Sequence, residues 1–528
     1  MSENVKIELL PLGKTLEVER GTPLQDLLFA HGVEFPCGGR GRCKGCKVKV
    51  LVGTLPITDE DRKKLTSTEL ADGWRLACRS RAEGDLQLEL AQWEATILTD
   101  DTVFDFTPQD GLGVAIDLGT TTIVAQLLDL RTGHVLAVRT ALNRQAQHGA
   151  DIMSRVEFAV AGGGQAQLKR LIREQVGELV QELLGVNAAS GRVRHSVRAA
   201  IPQADNGARG VTRPTSAADL KHIVLVGNTV MHHLFCGVSV EPLSHYPFAP
   251  MDDGLRVLTA DDLGWKVDAT VSVRFLPCLG GFVGSDILAG VLAIKLHERE
   301  ALVALVDLGT NGEIVVGNRE RMLCASTAAG PAFEGARIWM GMRAVTGAIS
   351  EVHIADGGLH CHVLGNAAPR GICGSGLVDT VAGALELGWV KPNGRLANGS
   401  DFTLAGPVKV SQTDIRELQL AKGAIAAGLE VLLRQWGATK ADLTRVYLAG
   451  AFGNYINLTS ARRIGLLDFP ADNIQPAGNT ALLGAKLALF GLREHDADYP
   501  DLRRKISHVS LHEDPHFQKT YVEQMTFP

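Results

Sequence analysis

The chain has 528 residues, which is too long for one hydrophobic core and predicts about three domains. Hydrophobic residues make up 45% of it and charged residues 21%, a balance that is typical of folded proteins and excludes a disordered or fibrous chain. The formal charge of -6 lacks the basic excess of nucleic-acid-binding proteins, so we expect no nucleic-acid partner.

The N-terminal segment MSENVKIELL has no basic stretch followed by a long apolar run, and no later segment reaches about eighteen unbroken apolar residues. We therefore expect a cytoplasmic protein without a membrane partner. Because cytosolic thiols are kept reduced, the nine cysteines indicate metal ligands or core positions rather than disulfides.

Residues 1–95 are predicted to form a small β-rich domain. Short alternating runs such as VKIELL, CKVKVLVG and GDLQLELAQW are typical of strands, and PLQDLLFAHG indicates one early helix. The next segment, 96–112, is acidic, contains Pro108 and Gly111 and shows no periodicity, so we interpret it as a linker.

Apolar strands alternate with longer helical stretches in the rest of the chain, which predicts α/β architecture. We interpret residues 113–298 and 299–528 as two lobes, the second with a C-terminal extension. QLKRLIREQVGELVQELLG and RELQLAKGAIAAGLEVLLRQWG have helical periodicity. The polar residues 187–221 predict a long insertion in the first lobe.

The two lobes share a repeated sequence. LGVAIDLGTTTIVAQLLD around residue 117 returns as LVALVDLGTNGEIVVGNR, 190 residues further on. Each copy reads as a strand, an Asp-Leu-Gly-Thr turn and a second strand. A spacing of this size indicates a duplicated domain rather than a short solenoid repeat.

The repeated turns have the residue types of a phosphate site. Glycines let backbone N–H groups approach an anion, hydroxyl and amide side chains add donors, and a carboxylate can hold a hydrated Mg²⁺ or orient a water molecule. A single such turn is equally compatible with an ordinary hairpin, but two in facing lobes would clamp a phosphate chain. The candidate residues are Asp117, Gly119, Thr120, Thr121 and Thr122 in the first turn, and Asp307, Gly309, Thr310 and Asn311 in the second.

Further motifs follow in order: GGFVGSDILAGVLA, STAAGPAFEGARI, VYLAGAFGNYIN and AGNTALLGAKLALFG. Together with the two turns, they resemble the actin, sugar-kinase and Hsp70 ATPase superfamily over residues 113 to 492. The resemblance implies a two-lobed, RNase H-like ATPase. It also implies that Asp286 helps to position the attacking water, that Glu334 meets the ribose, and that Gly330, Gly450 and Gly453 line the nucleotide.

The segment PCGGRGRCKGC begins a cysteine motif in the N-terminal domain. Cys37, Cys43, Cys46 and Cys78 have the spacing C-x5-C-x2-C-x31-C, which resembles a [2Fe-2S] ferredoxin and implies a β-grasp, ferredoxin-like α+β fold. The first gap is one residue longer than the plant-type spacing. The alternative, a structural zinc site, usually pairs two C-x2-C knuckles, and only one is present.

Two histidine motifs could also bind metals. MHHLFC places His232, His233 and Cys236 on a predicted helix, and LHCHVL places His360 and His362 on one face of a predicted strand. Neither has an obvious third ligand at a fixed spacing, so we interpret both as structural.

A ferredoxin domain joined to this ATPase, together with VGNTVMHHLFCG and GICGSGLVDT, resembles the reductive activators of corrinoid proteins nearly end to end. The resemblance implies ATP-dependent transfer of one electron from the [2Fe-2S] cluster to a cobalt(II) corrinoid, restoring cobalt(I). It further implies Mg²⁺, a corrinoid protein of a methyltransferase system as partner, an external low-potential electron donor, and a homodimer.

Two other functions are compatible with these motifs. One is an electron donor similar to the activators of 2-hydroxyacyl-CoA dehydratases, although those hold a [4Fe-4S] cluster between subunits and lack a ferredoxin domain. The other is a non-enzymatic iron-sulfur sensor or scaffold with an actin-like nucleotide switch. The latter predicts slow ATP turnover that no corrinoid protein stimulates.

Overall fold

The computed structural model describes residues 4–10, 14–29, 31, 33, 46–90, 104, 106–189, 219–329, 332–335 and 337–528. No helix among these residues has both the length and the apolar character needed to cross a membrane.

The N-terminal domain, described between residues 4 and 90, is built on a five-stranded sheet in the order β2-β1-β7-β4-β5. The predicted alternation is confirmed, because every second side chain of its two central strands is buried beneath a short helix. Its elements are β1 (Asn4–Leu10), β2 (Lys14–Glu19), β3 (Thr22–Pro23), α1 (Leu24–Phe29), β4 (Lys47–Val52), α2 (Asp59–Lys64), α3 (Ser67–Ala71), β5 (Trp74–Leu76), β6 (Arg81–Ala82) and β7 (Leu86–Leu90).

The first lobe is a six-stranded mixed sheet in the order β10-β9-β8-β11-β13-β12, with helices packed against it. Its strands are β8 (Leu112–Leu118), β9 (Thr122–Asp129), β10 (Val135–Leu142), β11 (Leu220–Val226), β12 (Arg256–Thr259) and β13 (Ser272–Phe275). Its helices are α4 (Ile152–Val160), α5 (Gly164–Ala189), α6 (Thr229–Cys236) and α7 (Ser285–Ala293).

The second lobe contains another six-stranded sheet, in the order β23-β22-β14-β15-β16-β24, and smaller sheets. Its strands are β14 (Val303–Leu308), β15 (Gly312–Gly317), β16 (Met322–Thr327), β17 (Ala348–Ala355), β18 (Gly358–Val363), β19 (Gly371–Ile372), β20 (Asp401–Ala405), β21 (Val408–Ser411), β22 (Arg445–Ala449), β23 (Ile474–Gly478) and β24 (Ile506–His508). Its helices are α8 (Gly374–Glu386), α9 (Gln412–Trp436), α10 (Gly450–Tyr455), α11 (Leu458–Arg463), α12 (Thr480–Phe490), α13 (Leu492–Lys505) and α14 (Phe517–Gln524).

The two large sheets have the same internal topology. In each, a three-stranded antiparallel meander is followed by two strands that add in parallel beside its first strand. The repeated DLGT sequences form the first turn of each meander. The structure therefore contains the duplication that the sequence predicts.

Helices α7 and α12 pack against each other between the two sheets. Their contact is close because Gly484 of α12 faces the backbone of Ala289 in α7, where an added Cβ would lie 2.1 Å from the carbonyl oxygen. Residues of both lobes join one core around this helix pair.

The boundaries of the linker and the insertion differ in detail from the predicted ones. Strand β8 already begins at Leu112, and 91–103 and 105 lie outside the described residues. Helix α5 continues through Ala189 and β11 begins at Leu220, so only 190–218 of the predicted insertion lie outside the described residues.

Candidate functional site

The two DLGT turns meet at the cleft between the lobes. The hydroxyl oxygens of Thr121 and Thr310 are 3.2 Å apart, within hydrogen-bond distance. Asp117 and Asp307 stand at the ends of their first strands, one residue before the last residue of each. The predicted juxtaposition of the turns is therefore present, and both could contact one phosphate chain.

Within each turn the glycines have different surroundings. A Cβ at Gly119 would lie 2.4 Å from the carbonyl oxygen of Thr122, so the first turn closes only with glycine. A Cβ at Gly309 would meet only the carbonyl oxygen of Asn311, at an ordinary contact distance of 3.8 Å, and the Gly309 amide donates to that same carbonyl at 3.0 Å. Thr120 is buried, and its hydroxyl accepts a hydrogen bond from within the lobe, so it supports the turn rather than facing the cleft.

Four carboxylates converge where the lobes face each other. Burial raises the pKa of Asp117 to about 6, and burial together with the charge of Asp117 raises the pKa of Asp307 to about 7. Asp286, in the first turn of α7, has its pKa raised to about 8 by burial and by both of these neighbours. The pKa of Glu313 is raised well above its usual value by burial and by Asp286 and Asp307.

No three of these described carboxylates are placed to hold a bare metal ion, but one or two of them could bind a hydrated Mg²⁺ together with phosphate oxygens. Carboxylate oxygens are the ligands that Mg²⁺ prefers, and positive charge would relieve the repulsion that raises the pKa values. Asp117, Asp307 and Asp286 were predicted, whereas Glu313 was missed. Glu313 could have been found from the hairpin register, because it pairs directly opposite Asp307.

Two asparagines that the sequence interpretation did not select support the first turn. Asn228 caps α6 and its side-chain amide donates to the Thr120 hydroxyl at 2.7 Å. Asn479 caps α12 and donates to Oδ2 of Asp117 at 3.0 Å, which opposes the rise in the Asp117 pKa. Each of the two lies in a Gly-Asn-Thr triplet, so this triplet occurs twice in the chain. The repetition is the sequence signal from which these asparagines could have been predicted.

The motif VYLAGAFGNYIN, which the resemblance implies lines the nucleotide and which we call the adenosine motif, is a strand followed directly by a short helix. Gly450 begins α10 with φ of 84°, and a Cβ there would lie 2.6 Å from Oδ1 of Asp307, so the motif approaches the second turn closely. The rings of Phe333 and Phe452 stack with centroids 4.4 Å apart. This contact brings the loop that contains Glu334 beside α10.

Glu334 lies close to the second turn. The Thr310 hydroxyl donates to Oε1 of Glu334 at 2.8 Å. Gly453 is inside α10, where a Cβ would lie 3.0 Å from the Leu448 side chain. Gly330 lies outside the described residues.

The two described cysteines of the cluster motif come together at one end of the N-terminal sheet. Cys46 directly precedes β4 and is 1% exposed, and Cys78 is half-buried in the turn after β5. The amide of Ala77 donates to the Cys46 carbonyl at 3.0 Å, which holds the two segments side by side. Cys37 and Cys43 lie outside the described residues. The pair of thiols formed by Cys46 and Cys78 fits one side of an iron-sulfur cluster.

The buried pair of the first histidine motif has hydrogen-bond partners within the protein. His232 and His233 are fully buried in α6. A ring nitrogen of His232 lies near the carbonyl of Gly254, and a ring nitrogen of His233 lies near the carbonyl of Thr229. Burial and the neighbouring His233 lower the pKa of His232 to about 3. His360 and His362 both point outward from β18. Over the described ranges, no three His, Cys, Asp or Glu side chains form a group that could hold a metal ion.

Three family models match the chain. Residues 301–528 match the model described as the C-terminal domain of RACo, the ASKHA domain, and residues 112–201 and 208–299 match the RACo middle region. Residues 7–83 match the 2Fe-2S iron-sulfur cluster binding domain. The predicted fold class, a ferredoxin-like domain followed by a two-lobed ATPase fold, is confirmed.

Similar proteins cover most of the chain. A solved structure of a reductive activator for a corrinoid, iron-sulfur protein is 25% identical, covers 99% of this chain and 98% of its own, and has a TM-score of 0.67. A Co(II) methylated amine-specific corrinoid protein reductase of Methanosarcina barkeri is 26% identical over 79% of this chain and 77% of its own length. The corrinoid activation enzyme RamQ of Eubacterium limosum is 33% identical over 82% of this chain and 74% of its own length. The chain therefore belongs to the family of reductive activators of corrinoid proteins.

Proposed function

We propose that this protein is an ATP-dependent reductive activator. It transfers one electron from a [2Fe-2S] cluster to the inactive cobalt(II) corrinoid of a methyltransferase-system corrinoid protein and restores cobalt(I). The observation that carries the proposal is the presence, in one chain, of the 2Fe-2S domain match at 7–83 and of two phosphate-type turns that meet within 3.2 Å.

Cys37, Cys43, Cys46 and Cys78 would hold the cluster, which supplies a single low-potential electron. A plant-type cluster has a potential of roughly -400 mV. Cobalt(I) is a very strong reductant, and for one electron each 59 mV uphill costs about tenfold in the equilibrium. A gap of roughly 100 mV would therefore leave only a few per cent of the cobalt reduced, so an energy source is required.

The cleft residues would bind and hydrolyse ATP. The amides beside Gly119 and Gly309 and the hydroxyls of Thr121 and Thr310 would contact the phosphate chain from the two lobes. Asp117 and Asp307 would hold a hydrated Mg²⁺, whose charge neutralises the phosphates.

Asp286 would orient the attacking water. Its pKa of about 8 keeps it protonated at neutral pH while Asp117 and Asp307 are unneutralised. Positive charge in the cleft favours its ionised form, which can accept a hydrogen bond or a proton from water. Asp286 would therefore become active only when the cleft is loaded.

ATP can drive the electron transfer only if its bound and hydrolysed states differ in affinity for the partner. Lobe closure around ATP would present a docking surface that perturbs the cobalt environment, and hydrolysis would release the complex. The external electron donor, cytoplasmic location and homodimeric state belong to the same proposal.

The proposal is tested by ATP hydrolysis with and without a purified cobalt(II) corrinoid protein from the same gene neighbourhood. We expect the partner to stimulate hydrolysis, and the same protein already in the cobalt(I) state to stimulate it less. Slow turnover that no redox state of the partner changes would instead support the sensor or scaffold function. An EPR signal of a [4Fe-4S] rather than a [2Fe-2S] cluster would support a dehydratase-activator-like donor.

A further inference from the structure

A short segment of the first lobe connects the first phosphate turn to the N-terminal domain. This segment, residues 142–147, comprises the end of β10 and the helical turn that follows it. The side chains of Leu142 and Ala146 pack against the hydrophobic core of the N-terminal domain. Asn143 and Gln145, between them, are fully buried. The segment therefore has one side toward each part of the molecule.

Asn143 binds the first phosphate turn at two points. Its side-chain amide donates to the carbonyl of Gly119 at 3.0 Å, and its backbone amide donates to the carbonyl of Thr121 at 2.9 Å. Its Oδ1 accepts from the amide of Gln145 at 3.0 Å, which fixes the side chain within the segment. A shift of the turn by more than a few tenths of an ångström must therefore move Asn143 or break these bonds.

Arg155 of α4 makes a second connection between the same parts. Its buried guanidinium donates to the carbonyl of Thr120 in the turn and to Oε1 of Gln145 in the segment, the latter at 3.3 Å. Because a buried charged donor that loses its acceptors is costly, Arg155 moves with both partners. The turn and the segment are therefore joined through two side chains.

The N-terminal domain is also attached to the second lobe. Arg370, next to β19, donates to the carbonyl of Leu90 at the end of β7 at 2.6 Å and lies 3.5 Å from the carboxylate of Glu89. The N-terminal domain thus contacts both lobes of the cleft. A change in the angle between the lobes cannot preserve both contacts unless the N-terminal domain moves.

We propose that segment 142–147, held to the first phosphate turn by Asn143, couples nucleotide binding at that turn to the placement of the N-terminal domain, with Arg370 as the attachment on the other lobe. The proposal rests on the proposed function, and it specifies how the nucleotide site controls the domain that carries the cluster. Coupling of this kind is reciprocal. If nucleotide binding weakens or strengthens the contacts of the N-terminal domain, the formation of those contacts changes the affinity for nucleotide by the same factor.

Hydrogen exchange followed by mass spectrometry, on the full-length protein with its cluster, tests the coupling. Mg²⁺ with a non-hydrolysable ATP analogue is expected to change exchange in peptides of 46–90 by at least about fivefold. Ala146→Glu places a charge in the apolar contact and is expected to abolish that response and to shift the nucleotide dissociation constant. Arg370→Ala is expected to reduce the response from the opposite lobe.

Ala161→Glu is the matched control, because Ala161 is exposed in the same lobe and distant in sequence from the segment. It should preserve the full response. If Ala146→Glu does not fold, Leu142→Ala, which only shortens a half-buried side chain, carries the same expectation. Retention of the wild-type response in a folded contact variant overturns the proposal.

The wild-type protein separates the two levels of the account. If it does not bind the ATP analogue, the proposed function itself is refuted. If it binds the analogue and still reduces the corrinoid protein, but exchange in 46–90 is unchanged, the coupling alone is refuted.

Discussion

Replacement of Gly450 by alanine tests the position of the adenosine motif against the second turn. Gly450 has φ of 84°, which an L-residue adopts at a cost of about 1–2 kcal/mol. Its Cβ would also lie 2.6 Å from Oδ1 of Asp307 and 2.6 Å from the carbonyl oxygen of Leu308. Since a Cβ contact below 3.0 Å does not occur, the Asp307 carboxylate or the backbone must shift.

The expected loss of activity can be separated from the loss of stability. Displacing a catalytic group by about 1 Å costs about 10²-fold in rate, so we expect Gly450→Ala to reduce ATP turnover by about that factor. Gly437→Ala is the matched control, because Gly437 has φ of 89° but open space around its Cβ position. Gly437→Ala should lose about 1–2 kcal/mol of stability and keep its turnover, whereas Gly450→Ala should lose at least as much stability because of the added clash.

The assay is steady-state phosphate release at saturating MgATP, with thermal unfolding of both variants measured in parallel. Equal turnover in Gly450→Ala and Gly437→Ala would refute the close approach of the adenosine motif to Asp307. The close approach would also be refuted if the turnover loss of Gly450→Ala were fully explained by its lower melting temperature.

Three further changes test the α7–α12 contact, the carboxylates and the cluster. Gly484→Ala should destabilise the protein by about 1–3 kcal/mol, because the added methyl overpacks the α7–α12 contact. The control Gly185→Ala changes a helical glycine with open space around it, so it should be neutral or stabilise the protein by up to about 1 kcal/mol. Equal melting temperatures of the two variants would contradict this prediction. Asp286 binds its proton more tightly when folded, so its stabilising contribution is complete below about pH 4 and is lost as pH rises through about 8. In cation-free protein, the melting temperature of Asp286→Asn should therefore rise relative to wild type between about pH 4 and 8, and a constant difference would exclude the raised pKa. Cys78→Ser should lose the cluster absorbance and EPR signal but still bind ATP, whereas the equally half-buried Cys361→Ser should keep both.

The duplicated architecture could be predicted because identical chemistry was repeated at a domain-sized distance. Two DLGT sequences require the same strand-turn-strand geometry, and the two sheets indeed share the order of five of their six strands. The register then places Glu313 opposite Asp307, a step that the hairpin allowed but that the prediction omitted. Repetition of a local motif is thus a strong signal for both fold and site.

The supporting residues could not be predicted in the same way. Asn143 and Arg155 reach the first turn across 24 and 35 positions of sequence, and neither belongs to a repeated motif. Arg155 lies in an amphipathic helix, where an arginine is normally expected on the exposed face, yet it is fully buried. Only the tertiary packing of α4 against the turn shows its role.

The central claim, that ATP drives the electron from the cluster to cobalt, is tested most directly by the yield of cobalt(I). Reduced full-length protein is mixed anaerobically with the cobalt(II) corrinoid protein, and cobalt(I) absorbance is followed with and without MgATP. The account predicts a small yield without nucleotide and a large one with it. Equal yields in both would contradict it.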